Sequence, residues 1–447
     1  MIRSHPAIAV WGSAAALSLT LGPLLVAKAE LAFLIVTVVV LIGVLATAKC
    51  MAITGLTTAA CILVSAVIDT PGHISAGRVS AYAVLTIVLT ILLVFVSFTS
   101  SALGTATRLQ SVLFPFFGLA VWAVISAIWS HPSVDGMQNI LLYISFPTLI
   151  LVSATSARTG AISPPNFARL VDVTFLIGAL FYLMSLLTSG IGGSAVAGPR
   201  SYALFGMLGV AWGAARYRHG FREGMLVGTV SLTMVFLSLS RLAALSAVLI
   251  AVLALVDFRR FARSLAVTAL IAAVAFFAVT HTSFSSRFSK GDVRSVAGFE
   301  INVSGRAQLW SLTWNSYESS PLIGHGVGSA ETLVKQKYPG DDHPHNDYLR
   351  LLHDLGAIGL FMFLVGYLSL FARLFRARSA ARTSPTIAYL LRASALSLGA
   401  VLLAMITDNP LVYLFVIAPV ASVVGYSLGA LLALQDEEAV FQRPVRL

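Results

Sequence analysis

Side chains able to do chemistry crowd into one stretch of this chain, His343-Pro344-His345-Asn346-Asp347-Tyr348-Leu349-Arg350. A histidine titrates near neutral pH, so one placed at a reacting hydroxyl can take its proton. Asp347 or Asp354 could orient such a ring. The same residue types allow two other readings: a histidine that is merely hydrogen-bonded, and a metal site drawing on Asp341, Asp342, Asp347 and Asp354. The metal reading is the weaker one, because His343 and His345 are two apart with a proline between them and no His-x-x-x-His pair is present. Three arginines offer a second chemistry. Arg241 stands in Leu237-Ser238-Leu239-Ser240-Arg241-Leu242 with apolar residues on both sides. Arg306 stands near the start of an expected helix, and Arg200 ends a Gly-rich loop running from Gly190 to Pro199. An arginine near membrane depth needs a partner to offset its desolvation, which marks it as functional by default. An arginine snorkelling to an interface is the plainer alternative for Arg200 and Arg241.

The elements that must position these residues are membrane helices. Of the 447 residues 58% are hydrophobic and 11% charged, with a mean hydropathy of +0.90, whereas soluble domains carry about 25% charged residues. Apolar runs of about 18 residues or more recur along the chain, each long enough to span a bilayer. Lipid cannot satisfy backbone hydrogen bonds, so these runs must be helical. The fold class expected is an all-α polytopic membrane protein. Spans are expected near 7–27, 30–47, 51–69, 79–99, 111–129, 138–155, 171–188, 200–215, 225–239, 242–256, 265–281, 356–372, 391–407 and 411–432, with short links near 28, 49 and 240 that could merge pairs, so about 12 to 14 helices in all. The segment after Met1-Ile2-Arg3 reads as a first helix rather than a cleavable signal peptide. Cys50 and Cys61 lie in or beside apolar runs, without metal-ligand spacing, and read as inert thiols.

The net charge of +11 could point to nucleic acid, but its placement excludes that reading. Lys and Arg concentrate in alternate loops. With the N-terminus in the cytoplasm, the inner side receives Arg108, Arg158, Arg216, Arg218, Arg259, Arg260, Arg373 and Arg376 among others. The short outer loops keep only Lys28, Arg78, Arg200 and Arg241. The organisation expected is an N-terminal transmembrane bundle (1–281), a periplasmic loop with short amphipathic helices (282–355), C-terminal transmembrane helices (356–434) and a cytoplasmic tail (435–447). Within the loop, 282–300 is polar and expected to be irregular. Leu309, Trp310, Trp314 and Tyr317 recur at helical spacing, which predicts an amphipathic helix capped by Ser304 and lying on the membrane surface. Pro321-Leu322-Ile323-Gly324-His325-Gly326-Val327-Gly328-Ser329 reads as a tight turn rather than a phosphate cradle, since no strand precedes it and no Lys-Ser/Thr follows.

Gly305-Arg306…Trp310, then Pro321-x-x-Gly324-x-Gly326-x-Gly328, then His345-Asn346-x-x-Leu349 to Gly356-x-x-Gly359, resembles the O-antigen ligase/polymerase superfamily, which holds the Wzy-type polysaccharide polymerases and the lipid A-core O-antigen ligases. Ser240-Arg241 at the start of a span supports the likeness, and Thr407-Asp408-Asn409-Pro410 looks closest to its exopolysaccharide-polymerase branch. The resemblance implies a GT-C-like, metal-independent inverting glycosyltransferase of the bacterial inner membrane that needs no cofactor. Its donor would be a glycan on undecaprenyl pyrophosphate, its acceptor a glycan or lipid A-core, and a chain-length regulator is a further partner open to it. By matching position His345 would be the catalytic base. Arg241 and Arg306, with Arg200 as a third, would hold the pyrophosphate, and Asn346, Asp347 and Asp354 would support them. Polymerisation of lipid-linked repeat units is the leading expectation and ligation to lipid A-core or protein the alternative. A lipid-linked glycan transporter is the contrasting class, but transporters commonly show internal repeats, and none is evident here.

Overall fold

The computed structural model describes residues 50–66, 81–130, 132, 134–190, 198–256, 293–296, 299–302, 306–377 and 384–441. Helices make up nearly all of it: α1 (Cys50–Val64), α2 (Ala81–Ser97), α3 (Ser100–Ser130), α4 (Val134–Arg158), α5 (Pro164–Ser189), α6 (Pro199–Arg218), α7 (Glu223–Leu237), α8 (Arg241–Leu255), α9 (Arg306–Tyr317), α10 (Ser329–Lys337), α11 (Asp347–Arg376), α12 (Pro385–Ala404) and α13 (Leu414–Phe441). Six described helices are long and apolar enough to cross a membrane: Ser100–Ser130, Gly136–Arg158, Pro164–Ser189, Asp347–Arg376, Pro385–Ala404 and Leu414–Ala439. Stretches of α1, α2, α7 and α8 are apolar but shorter. The chain is a multi-pass membrane protein whose described spans are all helical. The spans expected from 51 to 256, and those from 356 onward, each fall on a described helix. Those at 7–27, 30–47 and 265–281, like the Ser304 cap, lie outside the described residues.

The bundle is built around α6 and α13. Every residue of α6 from Tyr202 to Arg216 is buried, the mark of a helix enclosed on all sides. In α13, Gly425 and Gly429 lie one turn apart against α4, where a methyl group would come within 2.3 Å of the Ile150 carbonyl oxygen and 2.0 Å of that of Ala154. Small residues four apart let membrane helices touch backbone to backbone, so α4 and α13 pack as one unit.

Two features of the segment before α11 differ from expectation. Val293–Val296 and Phe299–Asn302 pair as an antiparallel hairpin, Val293 opposite Asn302, within the stretch read as irregular. Helix α9 does not present its apolar side to the bilayer alone: Leu309 and Thr313 are buried, and the Trp310 indole N–H donates to the Pro344 carbonyl at 2.9 Å. The Gly-rich stretch is a turn that fits a break in α11. Gly356 has φ +69, inside what is otherwise continuous helix. A side chain there would collide with the Leu322 carbonyl at 2.1 Å. The carbonyls freed by the break are taken up locally: Leu355 by the Trp122 indole (2.9 Å), His353 by His325 N–H and Asp354 by Gly326 N–H (both 2.8 Å).

Candidate functional site

The first residues of α11 decide where His345 points. Asn346 is the helix N-cap, its side chain accepting from Leu349 N–H at 3.0 Å. The residue before it must turn sharply, and His345 does so at φ +52, one of two described non-glycine residues with positive φ. Such a conformation costs on the order of 1–3 kcal/mol and persists only where its surroundings enforce it. Here they do. Trp310 holds the Pro344 carbonyl from one side. From the other, Asp347 N–H donates to the Met405 carbonyl at 2.9 Å. The Asp347 carboxylate accepts from Arg350 Nε (2.6 Å), Asn409 Nδ2 (3.0 Å) and Leu411 N–H (2.8 Å). Asp347 and Arg350 are fully buried, and Arg350 also donates to the Tyr143 hydroxyl at 3.2 Å. This network clamps the loop after α12 beneath His345 and sets Asp408 3.8 Å from His345 Nδ1, in ion-pair range.

The three arginines arrive at the same end of the bundle, each from the first turn of a helix. Arg200 is the second residue of α6, Arg241 the first of α8 and Arg306 the first of α9. Helix N-termini carry unsatisfied N–H groups and a partial positive charge, so an arginine there deepens a field that already favours anions. Arg200 Nη1 lies 3.5 Å from His345 Nε2. Arg306 donates to the Thr407 carbonyl. Burial, with the charges of Arg200 and Arg241 nearby, lowers the Arg306 guanidinium to about 10 against the opposing pull of Asp408. Asp408 sits among these cations. Burial alone would raise its carboxyl, but His345, Arg306 and the Asn409 N–H overcome that and hold it below the usual carboxylate range. The turn into α8 is tight too, with Leu239 at φ +57 two residues before Arg241.

Not every expected member joins this cluster. Asp347 meets His345 only through the backbone, its carboxylate being spent on the clamp. Asp354 is also elsewhere: it accepts from Gly328 N–H (3.0 Å) and Ala330 N–H (2.8 Å), and so ties the Gly-rich turn and the start of α10 to α11. Asn346 caps a helix. The carboxylate beside His345 is Asp408, which residue types near position 345 could not reveal. The other histidines diverge. His343 lies 3.9 Å from buried Glu331. His353 stacks on His325, with ring centroids 4.8 Å apart, and bonds the Ser316 hydroxyl. Asp342 faces Lys335 at 3.8 Å.

A protonatable ring flanked by a carboxylate on one nitrogen and a guanidinium on the other, beside two further arginines, suits the handling of a hydroxyl proton next to a phosphate-type anion. A family model described as O-antigen ligase matches residues 226–364. The matched stretch runs from α7 into α11 and contains Arg241, Arg306 and His345, while Arg200 and Asp408 lie outside it. A search of curated proteins returns no match. Residues 226–364 are thus similar to an O-antigen ligase domain, a match that supports the O-antigen ligase/polymerase superfamily and glycan transfer in general for this multi-pass membrane protein.

Proposed function

We propose that this protein polymerises glycan repeat units carried on undecaprenyl pyrophosphate, at the periplasmic face of the inner membrane, by metal-independent transfer with inversion at the anomeric carbon. The observation that carries the reading is the convergence of Arg200, Arg241 and Arg306 on His345 and Asp408 at one end of the bundle. In the proposed step the acceptor hydroxyl attacks the anomeric carbon of the donor glycan. The bond from that carbon to the pyrophosphate oxygen breaks, its electron pair leaves with the lipid pyrophosphate, and the hydroxyl proton passes to His345. Asp408, on the Nδ1 side, would hold the ring proton there and leave the Nε2 lone pair for that transfer. The arginines would bind the pyrophosphate through paired N–H groups and stabilise the charge that grows on the leaving oxygen.

The alternative is ligation of a finished glycan to lipid A-core, and the family description favours keeping it in view. Donor chemistry is common to both; the acceptor differs. Reconstitution with a purified undecaprenyl-pyrophosphate glycan tests the shared step: His345→Ala and Arg306→Ala each cut transfer by about 10²-fold or more in protein that still folds, and EDTA leaves wild-type transfer intact. Full activity in His345→Ala would remove the base assignment, and inhibition by EDTA relieved by a divalent cation would remove metal independence. In cells, loss of a polymerase leaves single-repeat products, whereas loss of a ligase strands long glycans on the carrier lipid.

A further inference from the structure

Beside His345 a groove of about 470 Å³ runs between α9 and the start of α11, within the roughly 300–1,000 Å³ of small-molecule sites. Trp310, Trp314 and Tyr348 line it together with Ser311, Asn315 and Asn346, and Leu349 and Leu352 complete it. We propose that this groove is a carbohydrate subsite, the place where the acceptor glycan lies while its hydroxyl reaches His345. The acceptor role rests on the glycan-transfer reading above; the carbohydrate specificity of the groove does not.

The lining carries the argument. It holds no charged side chain, so it is ill suited to the pyrophosphate that the arginines would take. The polar ends of its aromatic residues are already bonded within the protein: Trp310 to Pro344, Trp314 to Glu318 at 2.9 Å, and Tyr348 to the Leu402 carbonyl at 2.9 Å. What these residues offer a ligand is therefore ring carbon, the surface on which the C–H faces of a pyranose settle. The side chains of Ser311 and Asn315 form no hydrogen bond among the described residues and are exposed. Asn346 uses its oxygen as a helix cap and keeps its amide N–H groups. Hydroxyl and carboxamide groups that both donate and accept match the ring hydroxyls of a sugar. A lipid tail would find the amides unhelpful, and an anionic partner would find no cation.

Position supplies the rest. Asn346 adjoins His345, and the residue whose indole forms one wall, Trp310, also holds the backbone of Pro344. A glycan in the groove would thus lie against the backbone on either side of the histidine, at Pro344 through Trp310 and at Asn346 directly.

The test uses full-length protein in nanodiscs and, as probe, oligosaccharides released by mild acid from the surface polysaccharide of the cells that make it. Wild-type protein binds the probe. Trp314→Ala and Asn315→Ala weaken binding tenfold or more, Trp314→Phe stays within about threefold of wild type, and thermal melting confirms that all are folded. Trp310 is left intact because it also positions Pro344. In the transfer assay the same two variants raise the KM for acceptor by a similar factor, with kcat and the KM for donor within twofold of wild type. Binding that is absent in wild type, or unchanged in both variants, overturns the subsite. A rise in donor KM instead of acceptor KM overturns the acceptor role. Wild-type protein that binds through the groove yet transfers nothing sinks the transfer reading and leaves the carbohydrate subsite standing.

Discussion

At the end of the bundle away from His345, arginine meets carboxylate or aromatic ring. Arg216 pairs with buried Asp172, and its guanidinium lies 5.8, 5.5 and 5.8 Å from the ring centroids of Trp212, Phe221 and Tyr389. Arg108 and Arg158 both reach Asp436, at 3.1 and 2.8 Å. At the site end Arg200 and Arg241 stand close enough to press on the charge of Arg306, with Asp408 and His345 beside them. Removing one member of a buried pair leaves an uncompensated charge, which is why such pairs are structural. Cations held near each other store repulsion that an arriving anion relieves, which suits binding and transition-state stabilisation. The same residue type thus fastens the protein at one end and strains it, usefully, at the other.

The contrast breaks first if Arg216 and Arg306 respond alike to truncation. Arg216→Ala is expected to cost about 3–5 kcal/mol, the usual loss when a buried pair is broken, read as a fall in Tm. Arg306→Ala is expected to keep Tm within a degree or two and to cut transfer by on the order of 10²–10³-fold. A large Tm loss in Arg306→Ala would place both arginines in one class. His345→Ala is expected to act on kcat by about 10²–10⁴-fold, the range of general-base steps. Asp408→Asn is expected to fall short of it, roughly 10-fold to 10²-fold in kcat, and also to change the acid limb of stability. The sign follows from the direction of the shift. Asp408 has a folded-state pKa below its unfolded value, so its stabilisation is present above about pH 3.9 and lost as pH falls through the lowered value. Melting curves through that window should decline less steeply in Asp408→Asn than in wild type.

A ligand sharpens the contrast further. Inorganic pyrophosphate at about 100 times its Kd should stabilise wild type by roughly 2.7 kcal/mol, less at high salt, and should leave Arg306→Ala unmoved. Equal protection of both proteins would mean that the anion binds elsewhere. The smallest effect belongs to the far end: Asp436→Asn touches part-exposed partners and is expected to cost about 0–1 kcal/mol in denaturant titration.

Hydropathy made the membrane helices legible, because a bilayer leaves backbone no other choice. Arg241 stood out because arginine is rare between apolar runs, and Arg306 through its place near an expected helix start in the Gly305-Arg306…Trp310 pattern. The partner of His345 was harder to see. Asp347 and Asp354 are close to it in sequence, yet helix α11 carries both into packing roles, and Asp408 comes from beyond two membrane crossings, α11 and α12. The signal available was Thr407-Asp408-Asn409-Pro410, a polar run between two apolar helices. Such a run is costly unless something needs it, but sequence alone does not say which cation it will face. Trp310 was legible as an interfacial aromatic, and only the folded chain shows its indole spent on Pro344. The division between α9 and the bilayer is likewise a matter of tertiary contact, which helical spacing cannot resolve.

The left-handed backbone at His345 has a consequence for anyone selecting heat-resistant versions of this protein. Asparagine tolerates that conformation better than most residues, so His345→Asn should gain on the order of 1 kcal/mol by relieving strain while losing the base. A screen scored on survival at high temperature would therefore enrich inactive sequences at position 345. Leu239 is strained in the same way but packs against the apolar core, so Leu239→Asn would exchange relief of strain for lost contact and no such enrichment is expected there.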